Sequence, residues 1–386
     1  MSESKMKTES PPLVLHVIHH LVIGGMENGL INLINHMPAS KYRHAIICVE
    51  DYSDFRHRIT RPGVEVIALH RSQIGVWKLR QQIYHLCRKL QPTIVHSRNQ
   101  SGLDALLPAR LAGVAHCFHG EHGWDVDDIE GTNWKPMILR RLHSPLVKRY
   151  ITVSEHLKQS LINHVGISAD RISQIYNGVD TDRFQPAIQK PLHLLPTHFQ
   201  DNNLILIGSV GRIQAIKDQA TLLHAFAMLI VKQPNLARRV RLMIVGSGPL
   251  LADLRALATS LKITELTWFP GASNKVPEIL QTLDIFVLPS LMEGISNTIL
   301  EAMATGIPVL ATRVGGNIEL VKEGVCGHLY PPGDSSTLSK LLLEYTLNAS
   351  HRKEQGQAAR QLAIEQFSLT SMVACYKANY DQVCQR

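Results

Sequence analysis

The stretch Asp284–Gly316, DIFVLPSLMEGISNTILEAMATGIPVLATRVGG, decides the fold because it contains one complete β-α-β step. A short apolar run over residues 285–288 stops at Pro289, which is typical of a strand buried in a parallel sheet. Residues 309–312 form a second run of the same kind. Ligands of such sheets bind where strands exit into loops, so a ligand-binding site is expected at the loop after residue 288.

The connection between the two strands has the residues that a short helix needs. Gly294 permits an unusual backbone in the turn, and Ser296 or Asn297 is positioned to cap the helix. Gly306 followed by Pro308 ends it.

Two carboxylates flank this connection, Glu293 in the loop and Glu301 in the helix. Even a fully helical path would separate them by ~12 Å along the axis. A glycosidase pair needs roughly 5–10 Å, so this chemistry is excluded. Carboxylates this far apart, beside free helix N–H groups, suit a polyhydroxylated anion such as a nucleotide sugar. Thr298–Glu301 also fits a capping box, in which the glutamate only ties back to its own helix start.

Size and composition describe an ordinary globular protein with more than one core. The 386 residues favour two domains, and no apolar run approaches the ~18 residues that span a bilayer. The six cysteines lack zinc-like spacing and indicate small hydrophobes in a reducing cytoplasm. Of the net charge of +8, +6 lies in residues 1–190, which favours anionic partners without choosing among them.

Short apolar runs alternate with helical patterns along both halves, which predicts two doubly wound parallel sheets. Strands are expected in the first half at 13–18, 45–49, 64–69, 93–96, 115–118, 150–153 and 172–176. In the second half they are expected at 204–210, 240–245, 267–269, 285–288, 309–312 and 327–330. Helices are expected at 26–37, 77–90 and 101–111, from Asp218, from near Ser335 and at 367–384.

The segment EGISNTILE followed by AMATGIPVLAT resembles the EX7E signature of retaining glycosyltransferases of family four. The resemblance extends from about Leu13 to Tyr330. It implies the GT-B fold, in which two Rossmann-like domains face a cleft and a C-terminal helix crosses back to the first domain. It also implies transfer of a sugar from a UDP- or GDP-linked donor to an acceptor hydroxyl, with no cofactor and no metal. Bacterial exopolysaccharide-cluster transferases are the most similar subgroup, so a lipid-linked glycan is the expected acceptor.

This resemblance and the composition along the chain predict four regions. Residues 1–185 form the N-terminal acceptor-side domain, and the proline-rich segment 186–203 is the linker. Residues 204–366 form the nucleotide-sugar domain, and 367–386 form the C-terminal helix that packs back on the first domain.

The predicted donor site combines cations, carboxylates and glycines at the ends of strands. Arg212 leaves a strand and Lys217 precedes a helix, so both can face the diphosphate of a departing nucleotide. Solvated surface cations are the simpler interpretation of this pair, but the GR-x4-KD pattern resembles the family's diphosphate site. The resemblance assigns catalysis to His122, Glu293, Arg212 and Lys217. It assigns donor binding to Gly24, Gly25, Gly211, Arg212, Lys217, Ser273, Val276, Glu293, Gly294, Ile295, Ser296 and Glu301.

The segment HGEHGWD, residues 119–125, is expected to form one loop with two histidines. The family has a His-Gly-x-Asp segment here whose histidine contacts the donor sugar. His122 aligns better with it than His119, which ends a strand-like run; a structural role stays open for both. No metal is expected at the acidic triplets that begin at Asp125 and Asp180, which are interpreted as loop or cap residues.

Two features bear on partners other than the donor. The segment 134–150 is basic and amphipathic, so it is either a membrane-contacting segment or an ordinary helix with a solvated basic face. The protein is expected in the cytoplasm, with peripheral contact at the inner face of the membrane. A nucleotide-sugar epimerase of the same architecture and a non-catalytic nucleic-acid binder are the alternative functions, although no nucleic-acid module is present in the sequence.

Overall fold

A computed structural model describes residues 10–123 and 134–384 of the chain. Within these ranges the chain divides into two compact units. The first contains residues 10–176 and 372–384, and the second contains Asn177–Ser371. Each unit is built around one parallel sheet.

The sheet of the first unit has seven strands in the order β3-β2-β1-β4-β5-β6-β7. Every pairing is parallel, and the strand order reverses between β1 and β4. The strands are short and mostly buried: β1 Leu13–Ile18, β2 Arg43–Cys48, β3 Glu65–Ala68, β4 Ile94–Arg98, β5 His116–Glu121, β6 Arg149–Thr152 and β7 Ile172–Gln174.

Helices cover both faces of this sheet because strands in parallel order need crossover connections. They are α1 Gly25–His36, α2 Arg71–Leu90, α3 Asn99–Gly102, α4 Leu106–Leu111, α5 Trp134–His143 and α6 Glu155–Ser160. The core forms where apolar side chains of the strands meet those of the helices, as Val95 in β4 and Ile83 in α2 do. A kink at Gly75, where φ is +75°, lets α2 start earlier than its apolar pattern predicts.

The sheet of the second unit has six parallel strands in the order β10-β9-β8-β11-β12-β13. Their bounds are β8 Ile205–Val210, β9 Val240–Val245, β10 Thr267–Gly271, β11 Ile285–Leu288, β12 Val309–Thr312 and β13 Gly327–Tyr330. The order reverses between β8 and β11, which pair directly through Ile285 and Ile207. An open α/β sheet binds its ligand at such a reversal.

The helices of the second unit are α7 Gln219–Lys232, α8 Leu251–Ser260, α9 Val276–Leu280, α10 Asn297–Ala304, α11 Asn317–Leu320, α12 Ser335–Leu347 and α13 Ala349–Gln366. Buried side chains from α7 and α12 pack on the central strands, where Phe226 and Leu342 are fully enclosed. Residues 186–203 contain no helix beyond single 3-10 turns and no strand.

The last helix, α14 Leu369–Cys384, begins in the second unit, and from Met372 onward it packs with the first. Tyr380 is buried there and its hydroxyl lies 2.7 Å from Nδ1 of His96. The Tyr42 hydroxyl donates to Asp381 at 2.7 Å. The predicted α/β architecture of two Rossmann-like units with a returning C-terminal helix is confirmed.

Two local predictions were wrong. The helix expected over 101–111 is instead two short helices, α3 and α4, joined by a 3-10 turn. The strand β5 does not stop at Phe118 but continues to Glu121, because β4 and β6 are both long enough to pair with it there.

Candidate active site

The candidate donor site lies in the second unit, at the carboxyl ends of the adjacent strands β8 and β11. The loop after β8 runs from Gly211 to Lys217, and the loop after β11 runs from Pro289 to Ser296. The Leu291 N–H donates to the Ile216 carbonyl at 2.8 Å and joins the two loops directly. The switch point therefore brings together the two sequence motifs that were predicted separately.

Backbone and side-chain hydrogen bonds fix the first loop. The Gly211 N–H donates to the Val245 carbonyl at 3.0 Å, and Nε2 of Gln219 donates to the Arg212 carbonyl at 3.0 Å. Asp218 adopts a left-handed conformation with φ of +42° and caps α7 by accepting from the Thr221 N–H. Arg212 follows β8 in this loop and is exposed to solvent.

Lys217 and Glu293 form an ion pair across the two loops. The Lys217 Nζ lies 2.5 Å from Oε1 of Glu293, and the side chains are 17% and 9% exposed. The Ser290 hydroxyl donates to the same oxygen at 2.6 Å. A largely buried ion pair with a second hydrogen bond from Ser290 holds its geometry better than an exposed salt bridge does. Ser290 is a candidate site residue that was not predicted, and its position just after β11 was the available signal.

Glycines let the loops approach each other at backbone distance. A Cβ on Gly315, where φ is +45°, would lie 1.8 Å from the Glu293 carbonyl oxygen, and one on Gly316 would lie 2.3 Å from that of Gly294. A Cβ on Gly246 would lie 1.8 Å from the Gly211 carbonyl oxygen. Side chains at these positions would displace the site loops, so the glycines after β9 and β12 position the loops after β8 and β11.

The helix α10 begins as predicted, with Ser296 as its N-cap. The Ser296 hydroxyl accepts from the Ile299 N–H at 3.4 Å. Glu301 is the fifth residue of α10, whereas the glutamate of a capping box is the third helical residue, here Ile299. The capping-box interpretation of Glu301 is therefore wrong. Ser296 and Ile295 are buried at the helix start, and Gly294 and Glu301 are partly exposed.

Two of the predicted donor-binding residues, Ser273 and Val276, follow β10, two strands away from β8 in the same sheet. Ser273 accepts from the Lys275 N–H at 3.0 Å, and Val276 is the first residue of α9. Both are partly exposed. The loop with Ser273 and the start of α9 with Val276 lie at the same carboxyl edge of the sheet as the Lys217–Glu293 pair.

The remaining predicted site residues belong to the first unit. Gly24 is the N-cap of α1 and Gly25 its first residue, in the segment that follows β1. A Cβ on Gly24 would meet Oε2 of Glu27 at 2.1 Å, so the glycine makes room for the carboxylate in the first turn. The pair lies at the carboxyl edge of this unit's own switch point.

His119 lies inside β5 rather than on a loop. It is fully buried, with Nδ1 2.8 Å from the Ser97 hydroxyl and Nε2 3.2 Å from Oε1 of Glu121. Arg140 pairs with the same carboxylate at 2.6 Å. Burial raises the pKa of Glu121, but Arg140 and His119 together hold it well below its usual range. The prediction that one loop holds both histidines was wrong, since pairing on both sides draws 119–121 into the sheet.

His122 is the first residue after β5, and its N–H donates to Oδ1 of Asn99 at 2.9 Å. Among the described residues neither buried ring nitrogen has a hydrogen-bond partner. Burial, with a further contribution from Arg98, lowers the pKa of His122 to about 3. A neutral imidazole can still donate or accept a hydrogen bond, as contact with a sugar requires. Trp124 and Asp125, the rest of the predicted His-Gly-x-Asp segment, lie outside the described residues.

A buried basic cluster near His122 was not predicted. Arg98 is 1% exposed, and its Nη1 lies 3.0 Å from Nδ1 of His16, while Nε2 of His16 lies 2.9 Å from Nδ1 of His44. His96 packs 5.9 Å from His16 between ring centroids. These residues lie on strands whose sequences are mostly apolar, so the strand pattern does not indicate that they form a cluster.

Of the two acidic triplets, only the one that begins at Asp180 lies within the described residues. Asp180 accepts from the Asp182 and Arg183 N–H groups at 3.1 and 3.0 Å, as a turn-capping carboxylate does. Asp127 lies outside the described residues, like Asp125. Within the described ranges none of the helices combines the length and hydropathy needed to cross a bilayer.

Comparisons with known proteins identify the family. A sequence profile described as Glycosyltransferase Family 4 matches residues 23–183, and one described as Glycosyl transferases group 1 matches residues 196–362. The UDP-Gal:alpha-D-GlcNAc-diphosphoundecaprenol alpha-1,3-galactosyltransferase of Escherichia coli is 29% identical over 348 residues, covering 88% of this chain and 89% of the relative. EpsF of Bacillus subtilis (strain 168), named as a glycosyltransferase, is 27% identical over 314 residues, covering 77% of this chain and 78% of the relative.

Solved structures agree with the fold. Anabaena Alr3699/HepE, crystallised with UDP, matches with a TM-score of 0.81 at 20% identity, covering 96% of this chain and 100% of that one. It has also been solved with UDP-glucose. Since the two profiles together span most of the chain and the fold agrees throughout, the chain belongs to glycosyltransferase family 4, with the GT-B fold, and is a glycosyltransferase of polysaccharide or glycoconjugate biosynthesis.

Proposed function

We propose that the protein transfers a sugar from a nucleotide-sugar donor to a hydroxyl of a lipid-linked glycan, with retention of anomeric configuration and without a divalent metal. The observation that supports this most is the Lys217–Glu293 pair at the junction of β8 and β11. It places a cation and a carboxylate at the sheet edge where α/β proteins bind nucleotides.

The residues around this pair have complementary tasks in such a reaction. An ammonium group has three donors, so Lys217 can contact a diphosphate oxygen while it holds Glu293. Arg212 offers a fork that matches phosphate, and both cations would stabilise the charge that develops on the departing nucleotide.

Glu293 accepts from Lys217 and Ser290 on Oε1, so within the described chain Oε2 keeps its capacity for a sugar hydroxyl. Glu301 would accept from ribose hydroxyls, and the amides of 294–296 at the start of α10 would face phosphate.

The names of similar proteins guide the choice of substrates to test. HepE was solved with UDP, and the Escherichia coli relative uses UDP-Gal and a diphosphoundecaprenol-linked acceptor, as its name states. We infer that UDP sugars are the first donors to test, with GDP sugars second, and that the acceptor is a polyprenyl-diphosphate sugar. Retention follows from the resemblance of residues 293–301 to the EX7E signature. Proton NMR of the new glycosidic linkage would reveal its anomeric configuration, and an inverted product would contradict this part.

Donor binding is tested by calorimetry with UDP and GDP sugars on the full chain. Lys217→Ala should weaken binding about tenfold or more, because a charge-assisted hydrogen bond contributes ~1.5–3 kcal/mol. Lys232→Ala, an exposed lysine at the end of α7, is the matched control and should bind as the unchanged protein does. Equal donor affinity in both variants would show that Lys217 does not bind the donor.

The proposal that no metal is needed rests on Arg212 and Lys217. These cations supply the positive charge with which Mg²⁺ stabilises a departing diphosphate in other enzymes. Turnover should persist in excess chelator. Loss of turnover that Mg²⁺ or Mn²⁺ restores would show that Arg212 and Lys217 do not suffice.

The comparisons favour neither an epimerase nor a nucleic-acid binder, and transfer to an added acceptor separates the proposed reaction from epimerisation.

A further inference from the structure

Three metal-ligating side chains converge in the second unit, away from the donor site. His328 on β13, Glu344 in the last turn of α12 and His351 in the first turn of α13 each offer one ligand atom, and these atoms lie within 4.8 Å of one another. The sequence contains no metal-binding motif at these positions, and no metal is expected from it. The cluster exists only because the fold brings three elements to one point.

The geometry of this cluster is close to that of a metal site. Oε1 of Glu344 lies 3.5 Å from Nδ1 of His351. Two ligands of a tetrahedral zinc with bonds of 2.0–2.2 Å are separated by about 3.3–3.6 Å, so this edge of the polyhedron already has its length. The ligand atom of His328 lies within 4.8 Å of the other two, so a side-chain adjustment must shorten these distances to complete the other edges.

Groups behind the histidines orient them as metal-site neighbours do. Nδ1 of His328 lies 2.6 Å from Oε1 of Glu323, whose other oxygen accepts from Arg313 at 2.8 Å. A carboxylate on one ring nitrogen fixes the tautomer and directs Nε2 at the ligand position, which is the usual arrangement around zinc. Glu323 is thus a positioning residue for His328.

His351 is oriented from its other side. The side-chain amide of Gln355, itself 2% exposed, donates to Nε2 of His351 at 2.6 Å, so Nδ1 faces Glu344. With a metal on Nδ1, the ring proton moves to Nε2, so the Gln355 amide must turn its oxygen toward the ring. This turn gives up the bond that its Nε2 donates to the Gly324 carbonyl and the bond that its Oε1 accepts from the Tyr345 hydroxyl. Tyr345, fully buried, packs 5.2 Å from the His351 ring and limits its motion.

We infer that His328, Glu344 and His351 bind Zn²⁺, with water as a fourth ligand, and that this ion fastens the corner between α12 and α13 to the edge strand β13. Two imidazoles and one carboxylate suit zinc and its neighbours in the transition series, whereas Mg²⁺ prefers oxygen ligands throughout. Glu323 and Gly324 lie before β13, so the cluster is at the amino end of this strand, opposite the carboxyl edge of the donor site. The role of the ion is therefore structural, and the transfer reaction does not require it.

The test is a calorimetric titration of the full chain, without a histidine tag and freed of metal by chelation, with Zn²⁺ or Mg²⁺. We expect one zinc per chain at this cluster, a higher melting temperature with zinc, and no response to Mg²⁺. Glu344→Gln changes a side chain that is 51% exposed, so the fold should persist while zinc affinity falls tenfold or more. His351→Ala should have the same effect on affinity.

Glu323→Gln separates the positioning role from general stability. It should lower zinc affinity about 10–100-fold while the melting temperature of the metal-free protein stays unchanged. His193→Ala, an exposed histidine in the same unit, is the matched control and should bind zinc normally. The proposal is overturned if the unchanged protein binds no zinc, or if Glu344→Gln and His351→Ala bind it as tightly as the control.

Discussion

Glu293 makes two separate contacts. Its side chain pairs with Lys217, and its carbonyl oxygen packs against Gly315. Replacement by glutamine keeps the size and a hydrogen-bond acceptor for Ser290 but removes the negative charge. We expect Glu293→Gln to lower kcat by about 100-fold with a smaller change in donor affinity, as loss of one preorganised polar contact does in other enzymes.

Steady-state kinetics with calorimetry measures both quantities. Glu278→Gln, an exposed glutamate on α9, controls for a change of net charge and should leave kcat unaltered. If Glu293→Gln retains full kcat, the carboxylate does not act on the reacting sugar.

The two histidines near the end of β5 differ in how they are held, which separates their expected effects. His119 bridges Ser97 and Glu121 inside the sheet, so His119→Ala should cost ~1–3 kcal/mol of unfolding free energy through unsatisfied buried groups. His122→Ala should instead lower turnover more than donor binding. Urea unfolding and turnover, measured for both variants, test this. A loss of turnover confined to His119→Ala would assign the sugar contact to that residue.

At the scale of elements, most strands were predictable because each is a short apolar run that ends at a turn residue. β1, β9, β11, β12 and β13 have the predicted bounds. The length of β5 was not predictable, because pairing with β4 and β6 extends it through the polar residues His119 and Glu121. Likewise Ser290 matches no motif; its position just after β11 was the available signal, and its hydrogen bond to Glu293 is visible only in the structure.

The glycine contacts between loops give a prediction at the same scale. Gly315→Ala would place a Cβ against the Glu293 carbonyl and should displace the site loop, lowering kcat/KM without removing any functional side chain. Gly333→Ala has a comparable positive φ, +74°, with nothing within 4 Å of the added Cβ, so it isolates the backbone cost alone. Similar kcat/KM values for the two variants would mean that the loop contact does not position Glu293.

The helix α5 exposes an apolar stripe, since Trp134, Ile138 and Leu142 are 62%, 47% and 71% exposed at helical spacing. Arg141 is exposed beside it. We propose that this face contacts anionic lipid, so Ile138→Ser with Leu142→Ser should reduce cosedimentation with anionic vesicles. Val231→Ser, 77% exposed in the second unit, is the control. Binding that is equal on neutral vesicles, or insensitive to salt, would contradict an electrostatic contribution.

For the whole molecule, the alternation of strands and helices predicts two sheets of the same winding, and this was confirmed. The EX7E resemblance supplied the residues of the donor site, whose roles stay predictions. The zinc cluster could not be predicted, because its ligands are distant in sequence and meet only when α12, α13 and β13 pack. The cluster of buried histidines in the first unit could not be predicted for a related reason. A strand pattern indicates which residues are buried but not which polar residues contact one another in the interior.

Those histidines predict how the whole molecule responds to acid. Burial, then the charges of Arg61 and Arg98, lowers the pKa of His44 to about 3, and burial with Arg98 lowers the pKa of His16 and His96 well below the ordinary value. Below pH ~6.5 the unfolded chain therefore binds protons that the folded chain does not. Stability is complete above that pH and is lost as the pH falls toward 3.

The size of this effect follows from linkage, at ~1.4 kcal/mol per pH unit for each histidine that stays neutral in the folded state. For His44 alone the loss is roughly 2 kcal/mol between pH 6.5 and 5. Urea unfolding of the full chain at several pH values measures the slope. His44→Gln removes one titrating group, so its slope should be smaller by about one proton. His57→Gln, whose side chain is 69% exposed, should keep the original slope. An unchanged slope in His44→Gln would mean that other groups govern acid unfolding.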